Sequence, residues 1–125
     1  MYKIEKVAEN QFYVKIMGQC PPYEAEKCSE RFLEKIKDSQ KIYVIIDLLD
    51  LVLVKISSLK IFIELLNNTS KKLERSAFVI SFNPPLNEEV KYILEKAKSP
   101  KRKIVNSLEE AKEWTQIPEI NIKKE

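Results

Sequence analysis

Two aspartates, Asp47 and Asp50, are the residues of this 125-residue chain best placed to take part in chemistry. Asp47 ends the apolar run IYVIID at residues 42–47, a pattern typical of a buried strand. Ligands of parallel sheets bind beside the carboxyl ends of the strands, so two carboxylates there could act as acid and base. In the structural alternative, Asp47 instead accepts hydrogen bonds from loop amides at the strand end. We expect the structural role, and we expect no enzymatic activity.

The chain has no histidine and one glycine, and this composition excludes several kinds of site. Without histidine there is no Ser–His or Cys–His nucleophile pair, and the commonest metal ligand is missing. Phosphate-binding loops need several glycines for close approach of the backbone. Cys20 and Cys28 have the spacing of neither a redox pair nor a zinc knuckle. We therefore expect no metal site and no cofactor, with Cys28 in the core and Cys20 in a loop where it could be exposed.

A serine pair, Ser57 and Ser58, stands at the start of a segment with helical apolar spacing, residues 56–73. A serine hydroxyl at such a position accepts a hydrogen bond from the unpaired amides of the first helical turn. The helix dipole also tolerates a phosphate there. We expect one of the two serines to cap the helix, and the alternative is a regulatory phosphorylation site.

Periodicity along the chain predicts the element order β-β-α-β-α-β-α-β-α. The alternating residues of segments 2–7 and 11–17 predict an antiparallel hairpin. Further strands are predicted at residues 41–48, 76–82 and 102–105. The buried stripe predicted for the first helix consists of Ala25, Cys28, Phe32 and Ile36.

The last two helices carry recognisable start signals. Asn83 or Asn87 could cap the helix that begins near Pro84 and Pro85. Ser107, with Glu110 three residues later, forms a capping box for the final helix. On that helix, Trp114 is expected to anchor the helix to the sheet.

The length and composition of the chain predict one domain at residues 1–115 and a polar tail at residues 116–125. Strands that alternate with helices predict an α/β fold with helices packed on a mixed, mostly parallel sheet. No apolar run is long enough to span a membrane, and the charged N-terminus does not resemble a signal peptide, so we expect a cytoplasmic protein. The net charge of +3 comes from scattered charges without a basic, aromatic stripe, so no nucleic-acid partner is expected.

Three stretches resemble the STAS-type fold of the sporulation anti-anti-sigma factors, and in particular its SpoIIAA-like branch. They are YVIIDLLDLVLV, ISSLKIFIELL and RKIVNSLEEAKEW, and the resemblance covers residues 2–115. It implies a single STAS-like domain that acts by binding a protein partner. SpoIIAA-like proteins also resemble CRAL-TRIO lipid-binding domains, which implies a small hydrophobic ligand as the other choice.

The same resemblance implies an alternative function, a phosphorylation-switched antagonist of the anti-anti-sigma type. Members with this switch carry an Asp-Ser-Ser-Gly turn at the start of the second helix. The turn falls here on Lys55, Ile56, Ser57 and Ser58, so three of its four positions differ. The serine that a kinase modifies corresponds to Ser57.

The helix after the serine pair has more apolar residues than one buried stripe requires. The predicted stripe consists of Ile56, Leu59, Phe62, Ile63 and Leu66. Ile61 and Leu65 project from the opposite side of this helix. With Leu51 and Leu53 of the preceding loop, they are predicted to contact a second subunit, a membrane surface or an apolar ligand. The alternative is burial of Ile61 and Leu65 under the following helix.

Overall fold

Seven strands and four helices make up the described part of the protein. The computed structural model describes residues 1–81, 83–97 and 99–118. The elements in chain order are β1 (Tyr2–Ala8), β2 (Gln11–Ile16), β3 (Gly18–Cys20), α1 (Pro22–Ile36), β4 (Ile42–Asp47), β5 (Leu51–Val54), α2 (Ile56–Thr69), β6 (Leu73–Val79), α3 (Pro84–Lys96), β7 (Arg102–Val105) and α4 (Leu108–Thr115).

A five-stranded sheet with the order β1-β2-β4-β6-β7 forms the centre of the fold. The hairpin strands β1 and β2 pair antiparallel, and the other neighbours pair parallel. The predicted α/β class with a mixed, mostly parallel sheet is therefore confirmed. The short strand at residues 102–105 lies at one edge of this sheet, where a strand has one neighbour.

The structure also contains a second sheet of two short parallel strands, β3 and β5, which the sequence did not predict. Residues 51–54 were expected to be a loop, and they pair instead with residues 18–20. Gly18 starts this pairing with φ +66, a left-handed conformation that glycine adopts without a steric penalty. Its N–H donates to the Asp50 carbonyl oxygen at 2.9 Å.

The two faces of the large sheet carry different cores. Residues of α1, α2 and α3 form the larger core with one face, and the predicted stripe of α1 is buried there as expected. On the opposite face, α4 forms the smaller core. The buried members of the smaller core are Tyr13, Ile45, Ala77, Val79, Val105, Ala111 and Ile117.

Side chains cap the starts of α3 and α4, as the sequence predicted. The Asn83 side chain accepts a hydrogen bond from the Leu86 N–H at 3.4 Å, and Ser107 accepts one from the Glu110 N–H at 3.2 Å. Trp114 packs on the smaller core, and its Nε1–H donates to the Ser76 carbonyl oxygen at 2.9 Å. The predicted anchoring of α4 to the sheet by Trp114 is confirmed.

The packed part of the chain extends beyond the predicted domain end at residue 115. Ile117 is fully buried in the smaller core, and α4 ends at Gln116 in a left-handed conformation with φ 64. Residues 119–125 of the predicted tail lie outside the described residues. Within the described ranges, no helix is long and apolar enough to cross a membrane.

Candidate binding cavity and exposed patch

An apolar cavity of about 80 Å³ lies inside the larger core, between the sheet and the helices α1, α2 and α3. A single buried water needs roughly 10–15 Å³, and an engineered cavity of about 150 Å³ binds benzene. The apolar lining comes mainly from the sheet and helices, and includes Val14, Val44, Phe78, Cys28, Phe32, Phe62, Leu65, Leu66, Val90 and Ile93. The cavity is therefore larger than a water site and suits a small apolar group.

Strand β4 forms much of the cavity floor. Successive side chains of a strand point to opposite faces, so Ile42, Val44 and Ile46 share the face toward the cavity, and Leu48 continues the row. At about 3.3 Å per residue, this row extends for roughly 20 Å. The apolar run that the sequence marked as a buried strand thus provides one wall of an elongated cavity.

Ser76 of β6 places a polar atom on this apolar wall. The side chain is 1% exposed, and its Oγ has no hydrogen-bond partner among the described residues. A buried hydroxyl without a partner destabilises a fold by roughly 1–3 kcal/mol. The unpartnered hydroxyl therefore marks this point of the cavity as a place where a ligand atom would be stabilised.

Two charged side chains also line the cavity. Arg102 donates from Nη2 to the Leu66 carbonyl oxygen at 2.6 Å and from Nε to the Ala97 carbonyl oxygen at 3.3 Å. Burial lowers the pKa of Arg102 to about 10. Glu89 of α3 has a buried Oε1 with no hydrogen-bond partner among the described residues. Burial raises the pKa of Glu89, and a hydrogen bond from the Val54 N–H offsets part of this rise. Both charges are partly removed from water.

The two candidate aspartates lie apart from the cavity, in a separate polar cluster. Asp47 is buried, and its Oδ2 accepts hydrogen bonds from Tyr13 Oη at 2.5 Å and Lys15 Nζ at 3.3 Å. Its Oδ1 accepts from the Leu49 N–H at 3.0 Å, which is the loop-amide bond of the structural interpretation. Asp50 is exposed and pairs with Lys15 at 2.7 Å. This cluster joins β2, β4 and the loop after β4.

The charges of this cluster shift two pKa values. Burial and the hydrogen bond to Asp47 raise the pKa of Tyr13 far above its ordinary value. Burial lowers the pKa of Lys15, but the carboxylates of Asp50 and Asp47 outweigh this effect and raise it. Lys15 therefore stays charged and Tyr13 stays protonated, which is a structural arrangement.

Neither serine of the pair caps α2, so the predicted capping role is wrong. The helix begins after Lys55, and in the described structure no side chain caps it. Ser58 is 0% exposed and donates from Oγ to the Cys20 carbonyl oxygen at 2.6 Å, which links α2 to β3. Ser57 is exposed. Cys20 is buried, and it was expected in a loop where it could be exposed.

The predicted apolar surface differs in the structure. Leu51 is buried in the larger core, and Ile61 and Leu65 are half-buried against that core. Since α2 packs against both α1 and α3, the side expected in solvent is covered. Leu65 even lines the cavity. The outward positions predicted for Leu51, Ile61 and Leu65 were therefore wrong, and Leu53 is exposed as expected.

A different apolar surface is exposed where β5 meets α2. Val52, Leu53 and Ile56 are 60%, 46% and 74% exposed, and we call them the β5–α2 patch. Ile56 was predicted to flank the core stripe. It lies outside because it is the first residue of the helix, before the turn that packs on the core.

The sequence did not indicate the four polar residues that line the cavity, Thr69, Ser76, Glu89 and Arg102. Ser76 begins the apolar run SAFVI, and Arg102 begins the edge strand. Glu89 had the clearest signal, because it lies three residues after Leu86 and four before Ile93, on the apolar stripe of α3. A charged residue at such a position is an indication of a functional or partly solvated site.

Two solved structures are similar to this architecture. The chain is similar in structure to an uncharacterised DUF3478-family protein with a SpoIIAA-like fold from Shewanella loihica PV-4, with a TM-score of 0.70, 15% identity and coverage of 92% of each chain. It is also similar to the anti-sigma factor antagonist SpoIIAA in its unphosphorylated form, with a TM-score of 0.64, 12% identity, and coverage of 94% of this chain and 99% of that chain.

No protein-family model matches the sequence, and no curated protein matches it significantly. At identities of 15% and 12%, the two structures establish the fold. The chain has the SpoIIAA-like, STAS-type fold, and the resemblance identified from the three sequence stretches is confirmed at that level.

Proposed function

We propose that this protein is a non-enzymatic binding module of the STAS type, which takes a small apolar ligand into the cavity of the larger core. One observation carries the proposal: an apolar cavity whose wall holds the unpartnered hydroxyl of Ser76. The aspartate cluster lies elsewhere and is saturated with hydrogen bonds, which supports binding over catalysis.

The energetics of packing support a ligand in this cavity. Protein interiors are packed nearly as densely as organic crystals, with few voids larger than a water molecule. At about 24 cal/mol per Å³, a void of this size destabilises the fold by about 2 kcal/mol. A ligand that fills the cavity restores the lost contacts, and its binding thereby stabilises the folded protein.

The architecture supports a regulatory role for this binding. The SpoIIAA structure of the same fold is that of an anti-sigma factor antagonist. By analogy, ligand binding here would change how the domain meets a partner. The two cysteines are free thiols, which fits our expectation of a cytoplasmic, reducing environment.

A methyl NMR titration with propan-1-ol, a small uncharged probe, tests the proposed function. We expect chemical-shift changes at the cavity methyls of Leu66, Val90 and Ile93, and none at Val79 and Val105 of the smaller core. These two sets serve as target and internal control in one sample. Equal changes in both cores, or none in either, would contradict the proposal.

A blocking variant makes the test specific to the cavity. Val44 lies in the middle of the β4 row, so Val44→Phe places a larger side chain inside the cavity. The variant should lose the response to propan-1-ol. Unchanged methyl shifts in the smaller core would show that the fold is intact.

A second candidate function is favoured by the β5–α2 patch, defined above as Val52, Leu53 and Ile56. Contiguous apolar patches on monomeric soluble proteins often mark interaction sites, and three exposed aliphatic residues lie within five positions of the chain here. We propose that the patch binds a protein, with a second copy of this chain as the case to test first. Sedimentation over a range of concentrations should show self-association of the wild type, and the pair of changes Leu53→Glu and Ile56→Glu should abolish it.

A matched control separates the patch from general surface polarity. Leu33 of α1 and Tyr92 of α3 are also exposed, so the pair Leu33→Glu and Tyr92→Glu adds the same two charges at other apolar residues. This pair should leave self-association unchanged. A wild type that stays monomeric at every concentration would contradict the proposal for a second copy.

The exposed Ser57 lies next to Ile56 and provides a means of control. A phosphate there would add about −1.5 to −2 charge beside the patch. Ser57→Glu should therefore weaken the self-association, as expected of a phosphorylation-switched module. Asn67→Glu, an exposed change near the other end of α2, is the control and should not. Equal behaviour of the two variants would show that Ser57 has no such role.

A further inference from the structure

We infer that the ligand of this cavity is a short aliphatic chain that ends in a carboxylate, and that Ser76 and Arg102 bind the carboxylate. This inference rests on the function proposed above, that the cavity binds a small ligand. It adds the chemical class of the ligand and the residues that recognise its polar end.

The register of the sheet places the two residues side by side. Ser76 of β6 and Arg102 of β7 are paired Cα partners in the parallel ladder. Directly paired residues of neighbouring strands point to the same face, and both side chains line the cavity. The Ser76 hydroxyl and the side chain of Arg102 therefore start from neighbouring positions on an otherwise apolar part of the sheet, and the guanidinium extends toward the ends of α2 and α3.

Arg102 is surrounded by uncharged acceptors. Its Nε and Nη2 donate to the carbonyl oxygens of Ala97 and Leu66, and Nη2 also donates to Ser70 Oγ at 3.2 Å. Within the described ranges, Nη1 donates to no acceptor and no carboxylate pairs with the guanidinium. A positive charge that is partly removed from water favours an anion as a neighbour.

Ser76 supplies the complementary donor. Its Oγ is buried without a partner among the described residues, and a hydroxyl can rotate its proton toward a carboxylate oxygen. Arg102 Nη1 can donate to the second carboxylate oxygen. One small anion would thus satisfy a buried hydroxyl and neutralise a partly buried cation.

The size of the cavity limits the rest of the ligand. A volume of about 80 Å³ lies below that of the cavity that binds benzene, so a long acyl chain does not fit without movement of the helices. The apolar row of β4 favours a linear chain over a bulky ring. Propanoate, which is smaller than benzene, is therefore a suitable probe of this class.

Glu89 provides the rival interpretation. Its carboxyl group also lines the cavity, on α3, and it has a buried oxygen without a described partner. A ligand recognised by Glu89 would carry a positive charge. The sign of the preferred charge therefore decides between the two ends of the cavity.

Calorimetric titration of the wild type with propanoate, propan-1-ol and propylammonium separates these cases without any mutation. We expect propanoate to bind at least about tenfold more tightly than propan-1-ol, as charge-assisted hydrogen bonds predict, and propylammonium to bind most weakly. Equal affinities of propanoate and propan-1-ol would overturn the inference and leave the proposed function standing. Tightest binding of propylammonium would overturn it in favour of Glu89. If none of the three binds, the proposed function fails as well.

Variants test the two named residues. Ser76→Ala and Arg102→Gln should each lower the ratio of propanoate to propan-1-ol affinity several-fold. Arg75→Gln is the matched control, because Arg75 lies over the Trp114 ring on the opposite face of the sheet. Arg102 also binds carbonyl oxygens at the ends of two helices, so if Arg102→Gln does not fold, Ser76→Ala decides. An unchanged ratio in Ser76→Ala would show that water alone satisfies the hydroxyl, and would overturn the inference.

Discussion

At the scale of single residues, Ser58 and Ser76 have the same side chain and nearly the same burial, but different surroundings. Ser58 Oγ donates to the Cys20 carbonyl oxygen at 2.6 Å, while Ser76 Oγ has no partner among the described residues. Most buried polar side-chain atoms have a hydrogen-bond partner, so the exception at Ser76 needs a reason. A ligand that supplies the missing partner of Ser76 is that reason in our proposal.

These two serines give a direct pair of predictions for stability. Ser58→Ala leaves the buried Cys20 carbonyl oxygen without its partner, and should lower the free energy of unfolding by about 1–3 kcal/mol. Ser76→Ala removes an unsatisfied group, and should change it by less than about 0.5 kcal/mol or raise it. Urea unfolding of both variants, without added ligand, measures the difference. A loss of stability in Ser76→Ala equal to that in Ser58→Ala would mean that the Ser76 hydroxyl is already satisfied without a ligand.

At the scale of elements, α4 is the helix whose attachment depends most on one side chain. It covers the smaller core alone, and Trp114 fixes it through packing and the Nε1–H bond to the Ser76 carbonyl oxygen. The Arg75 guanidinium lies 4.5 Å from the ring centroid and donates to the Trp114 carbonyl oxygen.

The anchoring of α4 predicts graded effects at Trp114. Trp114→Ala should lower the free energy of unfolding by about 2–3 kcal/mol, less than for a fully buried aromatic, because Trp114 is half-buried. Trp114→Phe keeps most of the packing and loses the hydrogen bond, so it should lose about 1–2 kcal/mol. Denaturant unfolding followed by circular dichroism measures both. Near-neutral effects of both changes would mean that α4 is held in another way.

Elements with a regular buried stripe could be predicted from the sequence, and those set by distant neighbours could not. The three- and four-residue spacing of α1 identified all four of its buried residues. Leu51–Val54 is uniformly apolar, and its pairing with Gly18–Cys20 joins segments far apart in the chain. The apolar residues of α2 surround much of the helix, so only the positions of α1 and α3 determine which are covered.

The same limit applies to the candidate site. Asp47 could be found because an apolar run ends at it, and its loop-amide bond was expected. Ser76 and Arg102 are adjacent only through the register of β6 and β7. Nothing in the chain between them indicates that register, so the polar part of the cavity could not be predicted.

At the scale of the whole molecule, buried titratable groups make stability depend on alkaline pH. Burial raises the pKa of Cys20 to about 11 and that of Cys28 to about 12, above the ordinary thiol value of 9.0. Between pH 9 and these raised pKa values, the two thiols of the unfolded chain have lost the protons that they still hold in the folded protein. Stability is therefore complete below about pH 9 and falls as the pH rises.

The slope of this fall can be measured. Each such group contributes about 1.4 kcal/mol per pH unit within its window. Cys28→Ala removes one group, so its free energy of unfolding should fall less steeply between pH 9 and 11 than that of the wild type. Urea unfolding at several pH values provides the slopes. Identical slopes would show that Cys28 does not keep its proton in the folded protein.

A crystal structure under xenon pressure would show whether the larger core holds a cavity able to bind a ligand. Xenon is an uncharged probe that occupies apolar cavities in proteins. We expect xenon density between Ser76, Phe78 and Leu66, and none in the smaller core around Val79 and Val105. A larger core without xenon, with its side chains closed over the space, would show that there is no such cavity.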